Sequence, residues 1–80
     1  MNDREILSAI EEVARTHRIW EGPLGPGLRL NEDLDLDSLK ALTLAVEVEN
    51  RFQICLDPES EAKIMTVGDL VAVVRRELER

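Results

Sequence analysis

The chain has 80 residues, which fits one domain (residues 1–80) with a modest core. It is 44% apolar and 34% charged, a composition that folds rather than staying disordered. The net charge of -7 disfavours nucleic acid as a partner and favours basic protein surfaces. The first predicted element runs from about Asp3 to His17. Ile6, Leu7, Ile10, Val13 and Ala14 recur at helical spacing and give one apolar stripe. His17 is expected at the C-terminal end of this helix, favourably placed by the dipole. The polar start Met1-Asn2-Asp3-Arg4-Glu5 does not read as a signal peptide.

Arg18 to Asp37 follows as a long loop. Glu21-Gly22-Pro23-Leu24-Gly25-Pro26-Gly27 cannot continue a helix. A loop this long in so small a domain is usually functional. Ile19, Trp20, Leu28, Leu30 and Leu34 are expected to pin it to the core. Trp20 is read as an anchor of the Pro/Gly stretch rather than a lid.

A second helix is expected from about Ser38 to Phe52, opening on Asp37-Ser38-Leu39. Serine is common at a helix start, and Asp37 suits an N-cap. The same position gives Ser38 an exposed hydroxyl beside a positive helix end, suited to holding a phosphodiester. The helix carries two apolar faces. Ala41, Leu44, Ala45, Val48 and Phe52 form one; Leu39, Leu42 and Val46 form another. Periodicity leaves two explanations for the second: a docking surface, or burial of a central helix on two sides.

Asp57-Pro58 stops the second helix and can start another turn, with one short helical turn expected over about Glu59 to Lys63. Thr66-Val67-Gly68-Asp69 has capping-box spacing with Asp in the Glu/Gln place. It opens a last helix from about Val67 to Leu78, with Val67, Leu70, Val71, Val74 and Leu78 on one face. Arg75 and Arg76 are expected in a solvated last turn. No strand alternation is present. The fold class is therefore all-α: a small four-helix bundle of three principal helices and one short one, with the long loop between the first and second.

A lone Cys55 between Ile54 and Leu56 is expected to be packing, and it cannot form an internal disulfide. One His and one Cys make a zinc site implausible, so no metal site is expected. No nucleophile-elbow pattern surrounds Ser38, and no catalytic residue is assigned. No apolar run reaches the roughly 18 residues that a membrane span needs. The expected form is a cytoplasmic monomer.

Glu32-Asp33-Leu34-Asp35-Leu36-Asp37-Ser38-Leu39 resembles the attachment motif of acyl carrier proteins and their peptidyl-carrier relatives. The similarity continues through Leu44, Glu47 to Phe52, Ile54, and Ile64-Met65-Thr66-Val67-Gly68-Asp69-Leu70. The resemblance implies a four-helix bundle with 4′-phosphopantetheine on Ser38, attached from coenzyme A by a phosphopantetheinyl transferase. Its thiol would carry acyl or aminoacyl units between ligases and synthases, so the protein would be a substrate of enzymes and not an enzyme. By the same resemblance Asp37 would help position the serine. Leu39, Lys40, Leu42, Thr43, Val46 and Glu47 would meet partners, while Leu44, Val48 and Phe52 would be core.

Two departures from the family pattern stand out. Asp35 replaces the usual glycine before the motif. Lys40 and Thr43 replace residues that are commonly acidic, and the charges of Lys40, Glu47, Glu49 and Arg51 cancel. The acids cluster earlier, at Glu32, Asp33, Asp35 and Asp37. The function expected is therefore a discrete acyl carrier in a specialised fatty acid, polyketide-type or secondary-metabolite pathway. The alternatives are a stand-alone peptidyl or aminoacyl carrier, and, from another class, an unmodified helical interaction module.

Overall fold

The computed structural model describes residues 2–79 and shows four helices among them: α1 (Asp3–Thr16), α2 (Ser38–Phe52), α3 (Pro58–Ala62) and α4 (Val67–Leu78). Each start is set by a side chain that accepts an otherwise orphaned N–H. Asn2 and Glu5 form a capping box at α1. Asp37 caps α2 and Asp57 caps α3. Thr66 and Asp69 form a capping box at α4, with the shorter Asp closing it. His17 is the C-cap of α1, as its sequence position implies. α2 ends on Gln53 in the left-handed conformation. The short helix begins one residue earlier than the sequence indicates, because Pro58 fits its first turn.

α1 packs against both α2 and α4. Ile6, Ile10, Val48, Val67 and Val74 are fully buried between them. Leu44 and Phe52 complete the inward face of α2. α3 buries none of its own residues.

The long loop is held by both side chains and backbone. Ile19 and Leu34 are buried, and Trp20, Leu28 and Leu30 pack against the core. Trp20 Nε1 donates to the Pro23 carbonyl at 3.4 Å, the anchoring role expected of it. Leu24 and Leu36 are also buried, although the sequence reading did not assign them to the core. The loop then runs beside the start of α4. Leu30 N–H donates to the Met65 carbonyl at 3.0 Å, and Val67 N–H donates to the Leu28 carbonyl at 2.9 Å. Gly68 N–H reaches the Pro26 carbonyl at 2.8 Å. A Cβ at Gly68 would lie 2.9 Å from that oxygen, so this close approach requires glycine.

Two expectations are corrected. Cys55 is exposed, because the turn after α2 sends Ile54 and Leu56 inward and the thiol outward. Arg75 is not simply solvated; its guanidinium holds Asp3 at 2.9 Å and ties the end of α4 to the start of α1. Leu78, at the end of the α4 stripe, is 36% exposed.

Candidate functional site

Ser38 is the first residue of α2 and is exposed. Its position depends on Asp37, whose extended backbone lets a carboxylate oxygen accept the Lys40 N–H at 2.8 Å. The Asp37 carbonyl accepts the Ala41 N–H at 2.9 Å. The N–H groups of Ser38 and Leu39 have no acceptor among the described residues. They lie at the positive end of the helix dipole, and the first turn of α2 contains no acid. An anionic group on the Ser38 oxygen would therefore find open donors and a favourable field. These features fit a phosphodiester.

The residues before Ser38 form a tight, internally bonded loop. Leu34 and Leu36 point inward on either side of the exposed Asp35. Asp35 adopts the left-handed conformation, with φ of 52°. Asp is among the few residues other than glycine that tolerate this region. Leu36 N–H donates to the Leu30 carbonyl at 3.2 Å, which connects the run into Ser38 to the segment beside α4. Two acids of the cluster serve this loop. Asp33 accepts the Arg29 N–H at 2.8 Å, and Glu32 pairs with the Arg29 guanidinium at 2.7 Å.

From Ser38 along α2, Leu39 is 72% exposed, Leu42 60% and Val46 42%. Of the two explanations for the second apolar face, the structure therefore leaves it uncovered. Lys40 is exposed, and Thr43 and Glu47 are half-buried. Glu47 lies 3.4 Å from His17 Nε2, at the flank where α1 meets α2. All the residues expected to meet partners thus lie on the one helix that begins at Ser38.

Two surface features are not signalled by the sequence pattern. Met65, in the turn before α4, is 69% exposed. A cleft of about 240 Å³ also opens beside α2, lined by Leu30, Ala41, Leu42, Ala45, Leu56 and Ile64 among others. The only hint in the sequence was that Ala41 and Ala45 are small. Small side chains on one helix face leave room only if no neighbour fills it, and the pairing of elements decides that. Cys55 has no role in this arrangement.

Asp69 fixes the turn that carries Met65 into α4. It accepts N–H groups from both Met65 and Thr66 at 3.0 Å. These two bonds, Met65 first, hold its carboxyl below the ordinary Asp range.

Comparison with known proteins gives consistent results. Residues 4–74 match the family described as phosphopantetheine attachment site. The meromycolate extension acyl carrier protein of Mycobacterium tuberculosis is 30% identical over 77 residues, which cover 95% of this chain and 67% of that protein. An acyl carrier protein of Kineococcus radiotolerans is 30% identical over 74 residues, covering 91% of each chain. The match spans α1, the long loop, α2, α3 and most of α4. The chain therefore belongs to the acyl carrier protein family, whose members are non-catalytic carriers with 4′-phosphopantetheine as their cofactor.

Proposed function

We propose that this chain acts as an acyl carrier and that Ser38 bears its phosphopantetheine arm. The observation that carries the reading is an exposed serine hydroxyl at the first position of α2, beside two N–H groups with no acceptor. Asp37 positions it by fixing the turn into the helix, and its exposed carboxylate is available to the transferase and its metal ion. When bound, the group supplies a terminal thiol that holds acyl units as thioesters. The bundle provides the fixed surface from which that arm swings. Leu39, Lys40, Leu42, Thr43, Val46 and Glu47 form the face that synthases and ligases read.

Acyl cargo is favoured over aminoacyl cargo by two observations. The cleft beside Leu42 is lined largely by aliphatic side chains, which suits hydrocarbon. The relatives of comparable identity are named as acyl carriers, some for meromycolate extension. The cancelling charges of α2 favour a dedicated pathway with its own enzymes, because mismatched charge excludes partners built for an acidic helix.

Incubation with coenzyme A and a broad-specificity phosphopantetheinyl transferase tests the assignment. Intact mass should rise by one phosphopantetheinyl group, and S38A should show no gain. A folded wild-type chain that stays unmodified, or an S38A variant that is still loaded, would overturn it. Fatty, aryl and amino acid ligases offered the loaded form would then separate acyl from aminoacyl cargo.

A further inference from the structure

Leu30, half-buried in the long loop, borders two spaces. It lines the cleft beside α2, together with Leu42 and Ile64. It also lines an inner void of about 10 Å³, together with Leu34, Leu36 and Leu44. Leu30 thus stands between the room open to cargo and the two buried leucines that flank Asp35. A side chain beside empty space lacks partner atoms there and keeps rotamer freedom.

The backbone of the same residue is a junction. Its N–H donates to the Met65 carbonyl at 3.0 Å, and its carbonyl accepts the Leu36 N–H at 3.2 Å. The carbonyls of Leu28 and Pro26 add bonds of 2.9 and 2.8 Å to the start of α4. The Leu36 bond is the longest of this set and lies at the long end of the usual range. Leu36 follows Asp35, whose left-handed backbone is strained, and leads into Asp37 and Ser38. The run into Ser38 is therefore the least firmly held part of this network, and Leu30 is where it is held.

We propose that Leu30 is a positioning residue that couples a hydrocarbon chain in the cleft to the backbone leading into Ser38. A chain seated against Leu30 supplies the missing contacts and fixes its rotamer. Ordering Leu30 strengthens its bond to Leu36 and stiffens the run from Asp35 to Ser38, with no change of fold. An enzyme that meets Ser38 and Leu39 then finds a rigid arm root over a filled cleft and a looser one over an empty cleft. The proposal rests on Ser38 as the loading site and on the cleft as the place of the cargo.

The test loads the wild type, L30A and L30V with acetylated and with octanoylated phosphopantetheine. Each product is confirmed by intact mass, so a failure of the Ser38 assignment is seen first. The two loaded forms of each protein share the arm and differ only in the chain. Native-state hydrogen exchange at the Leu36 amide of the wild type should be at least about fivefold slower with octanoyl than with acetyl. Val48 should change less. The slowing at Leu36 should shrink in L30V and vanish in L30A, while the slowing at Glu61 and Ile64 persists in both. The wild-type comparison decides alone if L30A does not fold. The proposal is overturned if Leu36 slows no more than Val48, or if the variants slow at Leu36 as the wild type does. Slower exchange at Ile64 with none at Leu36 removes the coupling only; no slowing at either removes the cargo from the cleft as well.

Discussion

Asp35 holds a left-handed backbone between two buried leucines, so the loop dictates a conformation that its own side chain resists. For a residue with a Cβ that conformation costs about 1–2 kcal/mol, and less for Asp and Asn. D35G is expected to match or exceed the wild type in stability, by up to ~1 kcal/mol, since glycine removes the strain but adds freedom to the unfolded chain. D35V should lose about 1–2 kcal/mol, because a β-branched side chain fits the left-handed region worst. Urea denaturation measures both. A D35V variant as stable as the wild type would mean that the loop readily adopts another path. The substitution is visible in the sequence as a departure from a glycine pattern, and Asp can take the same left-handed backbone. Cys55 shows the opposite case. Its apolar neighbours pointed to packing, but the chain alternates there and only Ile54 and Leu56 turn toward the core.

At the scale of elements, the helices were legible wherever a cap and a stop enclosed a stripe. α2 (Ser38–Phe52) and α4 (Val67–Leu78) have the bounds their sequence signals indicate. The burial of Leu24 and Leu36 was not legible, because residues in a loop follow no period and their burial depends on which helices the loop crosses. The cleft beside α2 was hidden for the same reason. The α4 capping box was readable, and it gives this element a pH dependence. Asp69 accepts two backbone N–H groups in its ionised form, which lowers its pKa in the folded state. Its stabilisation is therefore complete above the ordinary Asp value of about 3.9 and is lost as pH falls through the lowered folded value. Thermal unfolding from about pH 6 down to about pH 2 should show a shallower acid decline for D69N than for the wild type. At neutral pH, D69N should melt at lower temperature, because the amide replaces a charged acceptor. Parallel acid slopes for the two proteins would remove Asp69 from the acid response.

At the scale of the molecule, stability is unevenly distributed. α1, α2 and α4 share the fully buried residues, whereas α3 contributes none and is held mainly by its ends. Asp57 caps its start, Leu56 and Ile64 anchor the flanking turns, and Arg76 reaches Ser60 Oγ at 3.0 Å. An element with so little buried surface opens locally at a lower cost than the bundle unfolds. Native-state hydrogen exchange should therefore give the amides of Glu61, Lys63 and Ile64 opening free energies at least ~2 kcal/mol below those of Ile10, Val48 and Val74. This difference bears on cargo, because Leu56, Glu61 and Ile64 line the cleft beside α2. Local opening of α3 would move Glu61 and Ile64 away from that cleft without requiring the α1–α2 and α1–α4 packing to break. A hydrocarbon chain that enters it gains roughly 25 cal/mol for each Å² of apolar surface removed from water, and it does so only while α3 is closed over it. Loading the arm with an octanoyl group should then slow exchange in α3 and its flanking turns and leave the core amides of α1 and α4 unchanged. Uniform slowing across all four helices would point to global stabilisation instead. No change in α3 would mean that the chain stays in solvent and that the cleft serves only the packing of the bundle.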